Sequence, residues 1–172
     1  DCYADSGCSS PLVAGHRMAT PFAPENSLSA LRAAILLGVD IVETDVRSTS
    51  DGVVVLIHDS TIDRTLEGSG EVGLLTLAEL QAIAMSAEGK PAGDFGCDRV
   101  PTLEEAMAVA AGKVVVELEV KESEAGVQAA QELSAAGLLG TAFFLCDTSE
   151  CEALRLAVPD APIMTRPAEA AE

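Results

Sequence analysis

The sequence predicts an α/β barrel, and three observations lead to that fold class. Short apolar runs alternate along the chain with segments of helical periodicity, the pattern of parallel strands joined by helices. The chain has 172 residues, 48% of them hydrophobic and 22% charged, which suits one globular domain with a sizeable core. Four of the apolar runs end on charged or histidine side chains. We expect the function there, because active sites of such barrels lie at the carboxyl ends of the strands.

The strands and helices follow from local signals. Asn26 or Ser27 caps the first helix and Gly38 ends it, and a later helix over residues 122–136 stops at Gly137. We predict parallel strands at residues 12–15, 40–46, 53–58, 113–120, 142–146 and 162–165. Three helices begin at capping boxes, in which a hydroxyl and a glutamate satisfy each other's backbone amides. These pairs are Thr76 with Glu79, Thr102 with Glu105, and Ser149 with Glu152.

The strand count falls short of a closed barrel. An eight-stranded α/β barrel takes about 250 residues, whereas this chain supplies about six of eight strands in a single domain of residues 1–172. An open sheet exposes two edges, which natural proteins avoid. We therefore expect either that the chain is a fragment or that a second chain or copy completes the barrel.

Acidic side chains concentrate on one face of two predicted strands. Residues two apart in a strand share a face, so Glu43 projects with Asp45, and Glu117 projects with Glu119 and Lys121. Converging carboxylates inside a barrel would repel one another and stay partly protonated unless a cation lay between them. Because the ligand atoms are all oxygens, we predict a hard divalent cation, Ca²⁺ or Mg²⁺.

The two histidines of the chain, His16 and His58, both fall at predicted strand ends. Such a pair can supply one general base and one general acid. Arg17 offers a planar fork suited to phosphate oxygens, and Lys121 offers a point charge. Together with the carboxylates, these residue types are the ones that phosphodiester cleavage needs.

The net charge of −18 narrows the choice of partners. Nucleic acids are bound by an excess of Lys and Arg, so we expect no nucleic acid, and adsorption to an anionic membrane is disfavoured. No apolar stretch approaches the ~20 residues of a membrane span. The expected partner is a small-molecule phosphodiester.

The five cysteines lack the CxxC spacing of zinc sites, and their odd number leaves at least one free thiol or an external pairing. A disulfide could close the short segment between Cys2 and Cys8, which would suit an exported protein. We expect an extracellular or periplasmic location, with a cytoplasmic one as the alternative.

Four blocks of sequence carry a resemblance to a known family. They are Gly15-His16-Arg17 with residues 23–27 (APENS), residues 42–46 (VETDV) with 49–52 (TSDG), Ile57-His58-Asp59 with Asp63-Arg64-Thr65 and Gly68, and residues 119–121 (EVK). The blocks resemble the motifs HRG…PENT, E-x-D-V…T-x-D-G, H-D…R-T-x-x-G and E-x-K of the glycerophosphodiester phosphodiesterase family. Their order and spacing, over about residues 12–165, make the resemblance specific.

The resemblance implies a TIM-type barrel that uses a metal ion to hydrolyse glycerophosphodiesters to glycerol 3-phosphate and an alcohol. It implies that one histidine deprotonates the glycerol 2-hydroxyl while the other protonates the departing alcohol. It also assigns the site residues. These are Glu43, Asp45 and Glu119 for the metal, His16 and His58 for acid–base catalysis, and Arg17 and Lys121 for the substrate phosphate.

One position departs from the family pattern, because Met18 stands where the family has glycine. Glycine allows a positive φ or a close backbone approach, so we expect Met18 to narrow the site or alter the choice of substrate. Met18, Pro21 and Phe22 together suggest an apolar lip, as a phosphodiesterase for lipid head groups would need. The other alternative, supported by the missing strands, is a barrel fragment or assembly subunit without catalytic activity.

Overall fold

Six β-strands form one sheet, in a computed structural model that describes residues 11–19, 21–90, 93 and 95–166. Five of the strands are parallel to their neighbours, in the spatial order β1-β2-β4-β5-β6, and β3 pairs with β2 alone. The strands are β1 (Ala14–Gly15), β2 (Ile41–Ser48), β3 (Val54–Leu56), β4 (Val115–Val120), β5 (Ala142–Cys146) and β6 (Ile163–Thr165). The helices are α1 (Leu28–Leu37), α2 (Leu77–Gln81), α3 (Leu103–Ala110), α4 (Ser123–Ala135) and α5 (Thr148–Ala157).

The third strand does not run parallel, so that prediction is wrong. β3 lies antiparallel to β2, with Val46 opposite Leu56 and Ser48 opposite Val54. The connection consists only of residues 49–53, whereas a parallel neighbour needs a crossover of a dozen or more residues. The resulting hairpin returns the chain along β2, from a position opposite Ser48 to one opposite Val46.

Alternation along the strands separates an apolar face from a polar one. In β4, Val116, Leu118 and Val120 are buried and join a core with residues of the helices, so this face packs against the helix layer. Glu117 and Glu119 alternate with them and therefore project from the opposite face. In a barrel that opposite face is the interior, which is where a site would lie.

The cap and the end predicted for α1 are confirmed, as are two of the three predicted capping boxes. Ser27 caps α1 by accepting a hydrogen bond from the Ala30 amide, and Gly38 ends it with a φ of 72°. The capping boxes at Thr76 and Thr102 are both formed. The box predicted at Ser149 is wrong, because α5 begins at Thr148, after the cap residue Asp147 and two residues earlier than a cap at Ser149 would place it, so Ser149 lies inside the first turn.

Residues of β3 and of the segment that connects β3 to α3 form a second, smaller core. It stabilises the long segment that follows the hairpin, including the loop that carries Arg64. Its buried members are Val55, Ile57, Ile62, Leu66, Val72, Leu80 and Val100.

The described cysteines include one disulfide, between Cys146 at the end of β5 and Cys151 in α5. Cys97 is a free, exposed thiol. The disulfide that we considered between Cys2 and Cys8 lies outside the described residues. None of the helices in the described ranges is long and apolar enough to cross a membrane.

Candidate active site

Three carboxylates meet at the polar face of β2 and β4. One oxygen from each of Glu43, Asp45 and Glu119 lies within 4.8 Å of the others. The convergence follows from the strand register, which sets Asp45 directly beside Glu119 and Glu43 beside Glu117. The structure therefore brings together the three carboxylates that the sequence singles out.

The carboxylate cluster, defined as Glu43, Asp45 and Glu119, has the properties of a cation site. Glu43 Oε1 and Asp45 Oδ1 are buried and have no hydrogen-bond partner among the described residues. Burial, together with the charges of Asp45 and Glu119, raises the pKa of Glu43 to about 7, despite a hydrogen bond from the Arg17 amide. Buried carboxylate oxygens without hydrogen bonds are costly, and a hard divalent ion would satisfy them, so the donor set fits Ca²⁺ or Mg²⁺.

Two basic side chains border the carboxylate cluster. Lys121 Nζ donates a hydrogen bond to Glu119 and lies 3.2 Å from Asp45 Oδ1. Arg166, directly after β6, places Nη2 2.8 Å from Glu119 Oε1. Burial raises the pKa of Glu119, but Lys121 and Arg166 lower it by more, so the net shift is downward. Arg166 was not among the residues predicted from the sequence, although a charged residue directly after a strand is the signal that identified the others.

The loop after β1 wraps around Glu43. The Arg17 amide donates to Glu43 Oε2 at 2.6 Å, and the Met18 amide donates to the Glu43 carbonyl at 2.7 Å. His16 Nε2 lies 3.9 Å from Glu43 Oε2, with 74% of its side chain exposed. The tight turn requires Gly15, because a Cβ there would lie 2.1 Å from the Met18 carbonyl oxygen.

Met18 does not border the site as we predicted. Its φ is 71°, in the left-handed region that favours glycine. Its side chain is fully buried in the main core, so it neither narrows the site nor contributes to an apolar lip. Phe22, half exposed, and the exposed Pro21 are what remains of that lip.

Asn26 orients one of the carboxylates. Its Nδ2 donates to Asp45 Oδ2 at 2.9 Å, while its Oδ1 accepts a hydrogen bond from Thr44 Oγ1 at 2.8 Å. The residue is 1% exposed and has a φ of 55°. The sequence analysis treated Asn26 as a possible helix cap; Ser27 has that role, and Asn26 instead supports the carboxylate cluster.

His58 reaches the site through the hairpin. The Ile57 amide donates to the Asp45 carbonyl at 3.0 Å, and Arg47 Nε donates to the His58 carbonyl at 2.9 Å. On the side chain, His58 Nδ1 lies 2.6 Å from Asp59 Oδ1. The hydrogen bond from Arg64, ahead of that with His58, lowers the pKa of Asp59 to about 2.

An alternating series of charges links His58 to Arg17. Arg64 donates from Nε to Asp59 Oδ2 at 2.6 Å, and from Nη1 and Nη2 to the two oxygens of Glu25, both at 2.8 Å. Arg17 Nη1 also donates to Glu25 Oε1, at 2.9 Å. Burial raises the pKa of Glu25, but the two arginines lower it by more, so the net shift is downward. Arg17 Nε is buried with no hydrogen-bond partner among the described residues.

The fold and the site define a class of protein, an α/β barrel whose strand ends hold carboxylates, histidines and basic side chains around one mouth. The family model for the glycerophosphoryl diester phosphodiesterase family matches residues 16–140. Because this match covers most of the chain, the chain belongs to that family, and the resemblance read from the sequence is confirmed.

Named relatives agree with this assignment. The chain is 42% identical over 93 residues to glycerophosphodiester phosphodiesterase 1 of Homo sapiens, covering 54% of this chain and 28% of the relative. It is 40% identical over 111 residues to a glycerophosphodiester phosphodiesterase of Caldanaerobacter subterraneus subsp. tengcongensis, covering 64% of this chain and 45% of the relative. The chain thus spans less than half the length of either relative.

Solved structures confirm the barrel fold. A glycerophosphodiester phosphodiesterase from Agrobacterium tumefaciens superposes with a TM-score of 0.81 at 29% identity, covering 90% of this chain and 66% of that one. An Oleispira antarctica phosphodiesterase, solved in complex with the product sn-glycerol-3-phosphate, superposes with a TM-score of 0.77 at 28% identity, covering 90% and 64%. These comparisons give no support to a second chain that completes the barrel, since part of each relative's own chain lies outside the aligned region.

Proposed function

We propose that this chain is a metal-dependent glycerophosphodiester phosphodiesterase, which releases glycerol 3-phosphate and an alcohol. The observation that carries the proposal is the carboxylate cluster, with two buried oxygens that lack hydrogen-bond partners among the described residues. Family membership and the product found in the Oleispira antarctica relative support the choice of substrate.

We assign residues to the cation and to the substrate phosphate from the charges and hydrogen-bonding groups at the carboxylate cluster. Glu43, Asp45 and Glu119 would hold the cation, which when bound supplies Lewis-acid polarisation of the substrate oxygens. Arg17 Nε lies 4.0 Å from Asp45 Oδ2 and has no hydrogen-bond partner among the described residues, so its N–H would be a donor for a phosphate oxygen. Lys121 adds positive charge beside the same carboxylates. Charge that develops on the phosphoryl group thus meets donors already in place.

The two histidines would move the protons. One imidazole accepts the proton of the glycerol 2-hydroxyl, whose oxygen forms a bond to phosphorus as the bond to the departing alcohol breaks. The other imidazole gives its proton to that alcohol, and water then opens the cyclic phosphate. His58, with Nδ1 on Asp59, has Nε2 available for this exchange. His16 is largely exposed beside Glu43, within reach of an entering substrate.

Turnover of glycerophosphocholine tests the proposal. We expect the chain with Ca²⁺ or Mg²⁺ to release glycerol 3-phosphate, EDTA to abolish the release, and added cation in excess of EDTA to restore it. Activity that EDTA leaves unchanged would contradict the metal requirement. No turnover at any cation concentration would favour the alternative of a non-catalytic fragment or assembly subunit.

A lipid head-group phosphodiesterase is the second candidate, and the half-exposed Phe22 beside Pro21 favours it. The buried Met18 removes one of the three side chains on which that reading rests. We therefore expect glycerophosphocholine to be cleaved with a higher kcat/KM than lysophosphatidylcholine under the same conditions. The reverse order would favour the lipid-directed enzyme.

Export is also a proposal, and the disulfide between Cys146 and Cys151 supports it, because disulfides persist in oxidising compartments. Because Cys146 and Cys151 are fully buried, alkylation is carried out on the denatured chain, where it should modify Cys97 and spare Cys146 and Cys151 until a reductant is added. Mass spectrometry of protein taken from its natural source would check this. Two alkylated thiols at Cys146 and Cys151 without reductant would contradict export.

A further inference from the structure

We propose that Arg64 is a positioning residue that holds two separate parts of the site, the ring of His58 through Asp59 and the guanidinium of Arg17 through Glu25. The inference deepens the proposed function and rests on it for its kinetic consequence, but its structural content can be measured without turnover. The five residues Arg17, Glu25, Arg64, Asp59 and His58 are called the Arg64 bridge below.

The Arg64 bridge joins loops that lie far apart in sequence. Arg17 and Glu25 lie within the connection from β1 to α1, whereas His58 and Asp59 follow the hairpin strand β3. Arg64 donates one hydrogen bond to Asp59 and two to Glu25, with distances of 2.6, 2.8 and 2.8 Å. Only a guanidinium presents donors in a rigid fork that can serve both carboxylates at once, which a lysine ammonium does not reproduce.

At the His58 end, the Arg64 bridge selects one state of the imidazole. Asp59 Oδ1 lies 2.6 Å from Nδ1, so the carboxylate accepts the Nδ1 proton and leaves Nε2 free. Arg64 holds the other oxygen, Oδ2, which stops the carboxylate from turning away from the ring. Without Arg64, Asp59 would keep His58 as its one side-chain partner among the described residues and could turn towards water. The ring would then lose its fixed orientation and its single tautomer.

At the Arg17 end, the Arg64 bridge fixes the orientation of the Arg17 guanidinium, which the proposed function assigns to the substrate phosphate. Glu25 Oε1 accepts hydrogen bonds from Arg17 and from Arg64, and 12% of the Glu25 side chain is exposed. The carboxylates of Glu25 and Asp59 balance the two arginines over the whole Arg64 bridge, and these contacts leave Arg17 Nε without a hydrogen-bond partner among the described residues. Removing Arg64 leaves Glu25 paired with Arg17 alone, and the guanidinium of Arg17 would then lose its fixed orientation.

Nitrogen-15 spectroscopy of the imidazoles tests the inference directly. The chain has two histidines, so a spectrum of protein labelled in histidine contains few ring signals, and His16→Asn assigns those of His58. At pH ~9, above the ordinary histidine pKa of about 6.5, we expect His58 to carry its proton on Nδ1. Arg64→Ala should convert this to a mixture of tautomers, and Arg64→Lys should give an intermediate spectrum. An Arg64→Ala spectrum identical to that of the wild type would overturn the inference.

Kinetics provide the second measurement. With glycerophosphocholine and a divalent cation, Arg64→Ala should lower kcat about 10- to 100-fold, the usual cost of a misplaced catalytic group, and Arg64→Lys should recover part of the loss. Arg32→Ala, an exposed arginine on α1, is the matched control and should keep the wild-type kcat. Equal kcat for Arg64→Ala and Arg32→Ala would overturn the inference.

Two further results keep the outcomes apart. If the wild-type chain turns nothing over, the proposed function fails while the tautomer spectrum still decides the role of Arg64. If Arg64→Ala does not fold, Asp59→Ala removes the carboxylate that lies between Arg64 and His58 and should also mix the tautomers. A single Nδ1–H tautomer in Asp59→Ala would overturn the inference.

Discussion

Glu25 and Glu43 lie in the same site with similarly small exposed fractions, 12% and 9% of their side chains, yet their pKa values move in opposite directions. Burial raises the pKa of both. At Glu25 the hydrogen bonds and charges of Arg64 and Arg17 more than offset that burial, whereas at Glu43 the neighbouring charges belong to Asp45 and Glu119. Burial raises the pKa at both glutamates, and nearby arginines reverse that shift at Glu25 whereas nearby carboxylates add to it at Glu43.

The contrast divides the site into two regions with different needs. The Arg64 bridge satisfies its carboxylates with the chain's own arginines, so it is complete without a ligand. The carboxylate cluster has two buried oxygens without hydrogen-bond partners among the described residues, and under the proposed function a cation from outside would complete it. Variants that remove one carboxylate from each region should therefore behave differently.

The largest effect is expected from breaking the carboxylate cluster. Asp45→Asn removes the most buried of the three ligands and should lower kcat/KM by at least about 10³-fold, because a bound cation contributes several kcal/mol to the transition state. Calorimetry should show that Ca²⁺ binding is lost. Glu117→Gln, on the same face but outside the cluster, is the control and should keep it. Equal Ca²⁺ affinity in wild type and Asp45→Asn would remove Asp45 from the metal site.

The histidines should have the next largest effect. His16→Ala and His58→Ala should each lower kcat about 10²- to 10³-fold, within the range of general acid–base catalysis. Circular dichroism should show that both variants fold, since both side chains are partly exposed. A variant with nearly normal turnover would exclude that histidine from the mechanism.

Stability measurements sharpen the comparison between the two glutamates. Glu25→Gln should lower the free energy of unfolding by about 1–3 kcal/mol, because two arginines then lose the negative charge that lies between them. Glu43→Gln should leave the cation-free protein unchanged or stabilise it by about 1 kcal/mol, because it removes repulsion from Asp45 and Glu119. Urea unfolding at neutral pH checks both. A similar loss of stability in both variants would contradict the division.

One control variant and one measurement with added Ca²⁺ accompany the unfolding experiments. Glu67→Gln changes an exposed glutamate and should stay within about 0.5 kcal/mol of the wild type. Ca²⁺ at 100 times its Kd should stabilise the wild type by about 2.7 kcal/mol. Glu43→Gln should lose most of this gain, and Glu25→Gln should keep it.

The smallest effect concerns acid stability at Asp59. Its pKa falls from the ordinary 3.8 to about 2 on folding, so the ionised carboxylate stabilises the protein above pH 3.8 and the stabilisation is lost as the pH falls towards 2. Since Arg64 is half exposed, solvent limits the contribution to about 1 kcal/mol. In unfolding at pH 6 and at pH 2, Asp59→Asn should be less stable than the wild type only at pH 6. The same deficit at both values would contradict this account.

Local patterns predicted much of the fold and the centre of the site. The period of two in β2 and β4 places Glu43, Asp45 and Glu119 on one face whatever lies around them. Capping residues such as Ser27 and Thr102 mark helix starts because they satisfy backbone amides within a few residues. The antiparallel direction of β3 was also within reach of the sequence, since its connection is too short for a crossover.

Tertiary structure decided how the remaining side chains are used. Arg64 meets Glu25 across 39 positions, Arg166 reaches Glu119 from another strand, and Met18 turns into the core through a left-handed backbone. The amino-acid sequence alone determined the strand faces, most helix ends and the carboxylates of the cluster, because those depend on neighbours a few residues away. The charge partners that set the opposite pKa shifts of Glu25 and Glu43 come from loops brought together only when the chain folds.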